Sequence, residues 1–477
     1  MNGPKYASPP TKFKPGHVTP ASLPKETLER SKTGFTLKLP SGAPVVTPAV
    51  YEDLVITGGG FRSKTLYAFH ARTGEMVWGL NLDDDGPSSP ACADGICVVN
   101  TESCTVFAVE ARTGKLLWSW WMGDPMLSAP AIADGKVYTV YPARGHGGGY
   151  GQAIQNNSFV APGRVVRGGA ADGKGPHPKA SHVLAALDLK SGGILWQRWI
   201  DSDVIAAPVV DDGEVLATSF AGTLYRFAPA TGEILGAERV RATTTPTLHQ
   251  GKLLYSRRTD GDGQSAREGL VQWDRGRGQA DYTANEKQAP YLDSKVQSSS
   301  RMWNAGKSLD AANGFSAGAP ATANPQLALG NVGQGSVSTL QSFQGSRVLP
   351  TDHGNVSAMG DEVVCTDHAS GKTLWRHSLK GDLAKEGGAL AAPPIHVGGK
   401  LLVATLAGTI QVLDPQTGAL VKSHRLGAPL RAQPVVADGW IYAGTADGRL
   451  VAVNTGDQTM TGWPMWGQNA ARQGRGR

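Results

Sequence analysis

The sequence predicts an all-β protein, an eight-bladed β-propeller of four-stranded antiparallel blades whose ring is closed by an N-terminal strand. The first observation is a repeated segment: AVEARTGKLLW at 108–118 returns as AFHARTGEMVW at 68–78 and as ALDLKSGGILW at 186–196. The second is a series of short apolar runs between Asp-Gly turns, as in PVVADGWIYAGTADGRLVAVN at 434–454. Such runs predict short antiparallel strands, and four of them in about 40 residues are typical of one propeller blade.

The spacing of the Ser/Thr-Gly turns predicts the number of blades. The turn glycines are Gly34, Gly74, Gly114, Gly192, Gly232, Gly371 and Gly418. Three of the steps between them are 40 residues long, and the longer steps contain added segments. Eight blades are expected near 47–80, 87–121, 128–200, 205–238, 243–283, 336–379, 391–425 and 431–457.

The eighth blade has no clear outer strand of its own. The segment KTGFTLKL at 32–39 resembles an isolated fourth strand, one period before that of the first blade. We expect it to join the last blade, because closure removes open sheet edges. The segment QTMTGWPMWG at 458–467 is the alternative for that place. The domains expected are an extended N-terminal arm (1–31), the propeller (32–467) and a C-terminal tail (468–477).

The tryptophan that ends each repeat is interpreted as packing between blades. It falls on the outer strand, where a large flat side chain can fill the widening gap to the next blade. The glycine before it permits the positive φ of a tight turn. The repeated tryptophan is therefore not expected to bind a cofactor.

Composition and charge exclude several classes of protein. No run of about 18 apolar residues exists, so no transmembrane segment is expected. The net charge of +6 comes from scattered basic residues, which disfavours nucleic-acid binding. Cys92 and Cys97 flank an Ala-Asp-Gly turn and could face each other across a hairpin. Two core cysteines are favoured there, and a disulfide is the alternative.

With these repeats, the chain resembles the pyrroloquinoline-quinone-like (PQQ-like) β-propeller repeat family. The family signature Ala-x-Asp-x-x-Thr-Gly-x-x-x-Trp is matched by 186–196, by CTDHASGKTLW at 365–375 and by 108–118, whereas 226–236 and 412–422 lose the tryptophan. The resemblance implies either of two functions. Quinoprotein dehydrogenases of the family bind the quinone and calcium on the propeller axis and oxidise alcohols or sugars. Non-catalytic members, such as the lipoprotein of the outer-membrane β-barrel assembly machinery, are docking scaffolds.

Two insertions are expected to build a binding surface on one face of the propeller. Residues 142–181 lie between the second and third strands of blade 3, and residues 284–335 connect blades 5 and 6. Loops of these two kinds share a face, and functional residues concentrate on loops carried by a rigid scaffold. The residues expected to bind a protein partner or small ligand are Arg301, Trp303, Asn304, Lys307, His146 and Tyr150.

A quinone with calcium requires cations for its carboxylates, oxygen ligands for the metal and a carboxylate base. The candidates for these roles on the same face are Asp83, Asp85, Asp201, Asp203, Arg241 and Lys380. The chain lacks the adjacent cysteine pair that several family dehydrogenases carry, and it lacks a C-x-x-C-H haem motif.

The sequence therefore favours a non-catalytic binding or scaffold propeller that needs no cofactor or metal. The alternative is a dehydrogenase that uses PQQ and calcium. The first twenty residues contain no apolar core of a signal peptide. A periplasmic or extracellular location is expected from the family resemblance alone.

Overall fold

A computed structural model describes residues 17–60, 63–101, 105–122, 129–142, 182–260, 267–289, 331, 347–383 and 389–464. These residues form eight antiparallel sheets of four or five strands, which are the eight blades of a propeller. One 3₁₀ helix, Lys25–Thr27, precedes the first blade. Within the described residues, no helix has the length and apolar character needed to cross a membrane.

Three short strands precede the first blade: β1 (Thr19–Pro20), β2 (Leu28–Ser31) and β3 (Gly34–Lys38). Within each blade the strands follow one another in the chain. Blade 1 contains β4 (Ala49–Tyr51), β5 (Leu54–Gly58), β6 (Thr65–His70) and β7 (Met76–Asn81). Blade 2 contains β8 (Ala91–Ala93), β9 (Ile96–Asn100), β10 (Thr105–Glu110) and β11 (Leu116–Trp121).

Blades 3 to 5 repeat this arrangement. Blade 3 contains β12 (Ala131–Ala133), β13 (Lys136–Pro142), β14 (His182–Asp188) and β15 (Ile194–Ile200). Blade 4 contains β16 (Val209–Asp211), β17 (Glu214–Thr218), β18 (Thr223–Phe227) and β19 (Ile234–Arg239). Blade 5 contains β20 (Thr247–His249), β21 (Lys252–Arg258), β22 (Arg267–Asp274) and β23 (Gln279–Gln288).

Blades 6 to 8 complete the ring. Blade 6 contains β24 (Val348–Thr351), β25 (Gly354–Met359), β26 (Glu362–Thr366) and β27 (Thr373–Ser378). Blade 7 contains β28 (Ile395–Val397), β29 (Lys400–Ala404), β30 (Thr409–Leu413) and β31 (Leu420–Arg425). Blade 8 contains β32 (Val435–Ala437), β33 (Trp440–Gly444) and β34 (Arg449–Asn454) with β3, and β35 (Gly462–Trp463) follows it.

The Asp-Gly pairs form the tight turns between first and second strands. Asp94, Asp134, Asp212 and Asp438 all have φ near +50°, and the glycine after each has φ between 69° and 78°. Positive φ at both central residues defines the type I′ turn, whose twist matches that of an antiparallel hairpin. The turn residues therefore set the register of each hairpin.

The predicted closure of the ring is confirmed. Strand β3 pairs antiparallel with β34, with Gly34 opposite Val453 and Lys38 opposite Arg449. Strand β2 then pairs with the outer edge of β3, and β1 pairs with the outer strand β7 of blade 1. The N-terminal segment thus supplies one strand of blade 8 and covers the outer edges of blades 8 and 1.

The competing C-terminal segment has a different place. Strand β35 pairs with β28, with Gly462 opposite Val397 and Trp463 opposite His396. The first strands of neighbouring blades contact one another, as β4 contacts β8 and β24 contacts β28, so they form the inner ring around the axis. Strand β35 therefore lies at the inner edge of blade 7, not at the outer edge of blade 8.

The hydrophobic core is divided among the interfaces between blades. One cluster joins Trp118 and Val98 of blade 2 to Val137 and Leu187 of blade 3. The interpretation of the repeated tryptophans as packing residues is consistent with this division. The indole Nε1 of Trp118 also donates a hydrogen bond to the carbonyl of Leu189, at 2.9 Å, in the outer turn of the next blade.

Each of these tryptophans lies directly against the turn glycine of the following blade. An ideal Cβ built on Gly192 would lie 2.6 Å from Cδ2 of Trp118, which is closer than real Cβ contacts. Equivalent contacts join Trp78 to Gly114, Trp196 to Gly232, Tyr282 to Gly371, Trp375 to Gly418 and Phe35 to Gly74. The glycine is therefore required by the close approach of the aromatic ring as well as by its positive φ.

The second insertion begins later than the sequence indicates. Residues 284–288 belong to strand β23, in which Lys287 pairs with Glu268 and Gln288 with Arg267. The β22–β23 pairing contains irregularities, which change the face that successive side chains occupy. The end of β23 therefore does not show the simple alternation of apolar and polar residues by which a strand is recognised in a sequence.

Cys92 and Cys97 are opposite each other in the β8–β9 hairpin. Neither forms a disulfide, and both are completely buried. This arrangement is the pair of core cysteines that the sequence favours.

We expect alanine at Gly232 to destabilise the protein more than alanine at Gly213. Both glycines are in blade 4 with similar φ, 65° and 72°, but a Cβ at Gly232 would lie 2.5 Å from Cδ2 of Trp196, whereas nothing lies within 4 Å of one at Gly213. Gly213→Ala should lower the free energy of unfolding by about 1–2 kcal/mol through backbone strain alone. Gly232→Ala should add about 1–3 kcal/mol from overpacking. Urea denaturation followed by tryptophan fluorescence measures both, and equal losses would contradict the contact.

Candidate functional site

The two ends of the blades differ in the loops that they carry. Turns between first and second strands, such as Asp94-Gly95, and those between third and fourth strands share one end, here called the turn face. Loops between second and third strands and between blades share the other end. Strand β13 ends there at Pro142 and β14 resumes at His182, and β23 ends there at Gln288 before β24. This second end, which carries both insertions, is called the insertion face.

The second insertion is attached to the propeller by a buried amide. Asn331 is 2% exposed, and its Nδ2 donates hydrogen bonds to the carbonyls of Phe220, at 3.3 Å, and Ala242, at 2.6 Å. The backbone carbonyl of Asn331 accepts a hydrogen bond from Nη1 of Arg258 at 2.9 Å. Asn331 thus connects blades 4 and 5 at the insertion face.

Arg258 forms a buried ion pair beneath this attachment. Its Nε donates to Oδ1 of Asp260 at 2.7 Å and its Nη2 donates to Oδ2, in a bidentate arrangement. The side chains are 7% and 4% exposed. Burial favours the protonated carboxyl of Asp260, but the hydrogen bonds and charge of Arg258, together with the charge of Arg241, lower its pKa below the usual value.

A second buried pair lies after the insertion, directly before strand β24. Nη1 of Arg347 lies 3.0 Å from Oε2 of Glu268, and both side chains are almost completely buried. The hydroxyl of Thr243 donates a hydrogen bond to the other carboxylate oxygen of Glu268. Blade 5 therefore holds the insertion at Asn331 and the chain that follows the insertion at Arg347.

The sequence did not identify this network, although it contained one signal. The apolar strand run at 252–258 ends in two arginines, and Arg267-Glu268 interrupts the next run. Charged residues inside strand patterns are uncommon unless they are paired. The identity of the partners depends on residues far apart in the chain, such as Arg258 and Asn331, and no local pattern indicates such pairs.

The residues expected to bind a partner lie outside the described residues. They are Arg301, Trp303, Asn304, Lys307, His146 and Tyr150. Their assignment to the binding surface stays a prediction.

The acidic candidates between blades 1 and 2 form a solvated cluster. Nζ of Lys64 lies 3.8 Å from Asp83 and 4.0 Å from Asp85. Between them in the chain, Asp84 accepts a hydrogen bond from the hydroxyl of Thr101 at 2.6 Å. The side chain of Asp83 is 79% exposed, so its pairing with Lys64 contributes little to stability.

Asp201 and Asp203 are buried in the loop between blades 3 and 4 and are hydrogen-bonded to blade 4. Asp201 accepts a hydrogen bond from the hydroxyl of Thr223, and burial raises the pKa of its carboxyl. Asp203 accepts a hydrogen bond from the backbone N–H of Val204 at 2.7 Å, and its carbonyl accepts one from Phe220. Carboxylates that are buried and hydrogen-bonded to protein groups do not fit the oxygen-rich, accessible ligand set that calcium requires.

The cationic candidates are also separated. Arg241 donates a hydrogen bond to the carbonyl of Asp260 and lies 3.7 Å from its carboxylate. Lys380 is exposed in the loop between blades 6 and 7. Among the described residues, no group of three or more His, Cys, Asp or Glu side chains is arranged to hold a metal ion. The described candidates therefore do not fit a common quinone and calcium centre.

We expect Asp260→Asn to lower the free energy of unfolding by about 3–5 kcal/mol, because it removes the charged partner of a buried guanidinium. The control is Asp53→Asn, whose carboxylate lies 3.4 Å from Arg112 in an exposed pair. The control should change stability by less than about 1 kcal/mol. Urea denaturation at pH 7 compares the two, and similar small losses would contradict a structural role for the buried pair.

The loss of stability caused by Asp260→Asn should depend on pH. Since the folded-state pKa of Asp260 is lowered, its stabilising contribution is complete above the unfolded pKa, about 3.9, and is lost as the pH falls through the folded value. The stability difference between the wild-type protein and Asp260→Asn should therefore shrink at acid pH. A difference that grows on acidification would contradict this assignment.

Structural comparison places the chain among known propellers. BamB from Moraxella catarrhalis is 16% identical, with a TM-score of 0.53 over 91% of this chain and 97% of that one. The computationally designed Ika8 protein is 15% identical, with a TM-score of 0.52 over 87% and 96% of the two chains. Quinohemoprotein alcohol dehydrogenase ADHIIG from Pseudomonas putida HK5 is 13% identical, with a TM-score of 0.51 over 89% and 76%. These likenesses establish the fold.

The sequence itself was compared with curated proteins and with family models. No curated protein matches it. One family model, described as outer membrane protein assembly factor BamB, matches residues 62–158, 179–348 and 359–469. Because these ranges cover most of the propeller, from blade 1 to blade 8, the chain belongs to this BamB-like family of PQQ-like propellers.

Proposed function

We propose that the protein is a non-catalytic scaffold that binds a protein partner through its insertion face. The observation that carries this proposal is the attachment of the second insertion at Asn331 to Arg258 of blade 5, together with the buried pair of Arg347 and Glu268 just after the insertion. A loop that is attached to its scaffold loses less conformational entropy on binding than a free one. The residues proposed to contact the partner are Arg301, Trp303, Asn304 and Lys307, with His146 and Tyr150 of the first insertion.

The family supports a partner that is a protein. Its model is described as an outer membrane protein assembly factor, and the BamB structure shares the eight-bladed fold over most of its length. Aromatic and arginine side chains such as Trp303 and Arg301 are typical energetic centres of protein interfaces. We further propose a periplasmic or extracellular location, which rests on the same likeness.

The alternative function is oxidation of an alcohol or sugar with PQQ and calcium. The likeness to quinohemoprotein alcohol dehydrogenase favours it. The arrangement of the candidate residues does not: Asp201 and Asp203 are buried and hydrogen-bonded to protein groups, and Arg241 is paired with Asp260. The scaffold function therefore has the stronger support.

A photo-crosslinking experiment tests the proposed interface. We expect p-benzoylphenylalanine in place of Trp303 to yield a discrete crosslinked protein in cells that carry the gene. The matched control is the same substitution at Lys115, an exposed residue in the outer turn of blade 2 on the turn face. Mass spectrometry identifies the product. A product of equal yield from both positions, or from Lys115 alone, would contradict binding through the insertion face.

Calorimetry with PQQ and calcium separates the two functions. A scaffold should give no saturable heat with the quinone, with or without calcium, and no dye reduction in the presence of alcohols or aldoses. Tight, calcium-dependent binding accompanied by dye reduction would establish the dehydrogenase and exclude the non-catalytic function.

A further inference from the structure

The C-terminal segment crosses the turn face toward the propeller axis. Beside the β28–β35 pairing, the backbone N–H of Gly398 donates to the carbonyl of Thr461 at 2.9 Å. The backbone N–H of Val436 donates to the carbonyl of Pro464 at 3.2 Å. Residues 461–464 thus connect the inner strands of blades 7 and 8. At this end of the axis, the inner edge of blade 7 therefore pairs with an additional extended segment.

Next to this segment lies a cleft of about 510 Å³. It is formed by the first hairpins of blades 4, 5 and 6, with His396 of blade 7 and Gly462 at its border. The residues that line it include Asp211, Asp212, His249, Gln250, Asp352 and His396. A volume of this size accommodates several residues of an extended peptide. We call it the turn-face cleft.

The turn-face cleft is negatively charged at neutral pH. Its carboxylates are those of Asp211, Asp212 and Asp352, and no lysine or arginine is among its lining residues. Asp212 is already paired with Arg275, at 2.9 Å. Burial lowers the pKa of both His249 and His396 and raises that of Asp211 to about 6, so the histidines are neutral and Asp211 is ionised at pH 7.

Asp211 differs from the exposed acids of the turn face. Asp211 is only 8% exposed, and it lies on the inner strand of blade 4 beside the cleft. Desolvation makes its ionised form costly, and a cation placed in the cleft would offset that cost. The cleft therefore has the electrostatic character of a site for cationic side chains.

The chain that leaves this cleft is basic. Residues 465–477 follow Pro464 and read MWGQNAARQGRGR, with Arg472, Arg475 and Arg477 and no acidic residue. Arg472 is eight residues beyond Pro464, a span of about 26 Å when fully extended, which is ample to cross the cleft. Attachment at its border gives the segment an effective concentration in the millimolar range.

We propose that residues 465–477 dock in the turn-face cleft, with their arginines against Asp211 and Asp352. This docking is independent of the proposed scaffold function.

Crosslinking from the C-terminal segment tests the proposal in the full chain. We expect p-benzoylphenylalanine at Gly474 to form intramolecular crosslinks to peptides that contain 209–214, 247–252 or 348–354. Peptide mapping by mass spectrometry locates them. Crosslinks to the insertion face, or to the part of the turn face around Asp438 of blade 8, would overturn the proposal. So would an intermolecular product whose yield increases with protein concentration, since it would identify a second copy as the occupant.

Charge variants measure the contribution of the two acids. Asp211→Asn combined with Asp352→Asn should reduce the crosslink yield by about twofold to thirtyfold, the range expected for the loss of two weak to moderate ion pairs. Replacement of Arg472, Arg475 and Arg477 by glutamine should have a similar effect. The control Asp438→Asn removes an exposed acid of the same face and should change nothing. Equal yields in all variants would overturn the electrostatic docking.

Acidification provides a further readout. The yield should fall as the pH decreases through about 6, because Asp211 becomes protonated. Protonation of His249 and His396 near Asp352 acts in the same direction, since it adds positive charge beside the arginines. A yield that is constant or increases between pH 8 and pH 5 would contradict the assigned contacts.

Discussion

The contact between an aromatic ring and a turn glycine is the constraint on which the propeller depends. The indole of Trp196 covers Gly232 of the next blade, and its Nε1 donates to the carbonyl of Pro229 at 3.0 Å. One residue therefore fills the gap between blades, satisfies its own polar atom and requires that its neighbour have no side chain. Because the ring and the glycine belong to successive blades, the two ends of the repeated motif interact with each other only in the assembled ring.

Blades 4 and 5 depart from this regular pattern. Strand β19 has no tryptophan, and the blade 4–5 interface contains ion pairs from Arg275 to Asp212 and Glu214, each at 2.9 Å. The same blades carry the buried network around Arg258 on the insertion face and the turn-face cleft on the opposite face. Departures from a structural repeat are expected where a scaffold has acquired a specific function, because elsewhere the packing rule alone decides the sequence.

Much of the fold could be predicted because its determinants are local. The Asp-Gly turns and the 40-residue period indicated eight blades, and the isolated 32–39 segment indicated closure by an N-terminal strand. The inner-edge position of Gly462 and the end of strand β23 could not be predicted, since each depends on pairing with distant backbone. The candidate site was the least predictable part. Its supports join residues such as Arg258 and Asn331, which are brought together only by the complete fold.

The closing pair of strands also has a consequence for biosynthesis. Strand β3 is synthesised before blade 1, but its partner β34 is synthesised only after blades 1 to 7, because Gly34 pairs with Val453. At translation rates of about 5–20 residues per second, the nascent chain must keep Phe35 and Leu37 away from incorrect partners for about 20–80 s. Blade 8 therefore cannot form cotranslationally from its N-terminal strand alone. The ring closes in a single late step, and a truncated chain that lacks β34 leaves an apolar strand available for aggregation.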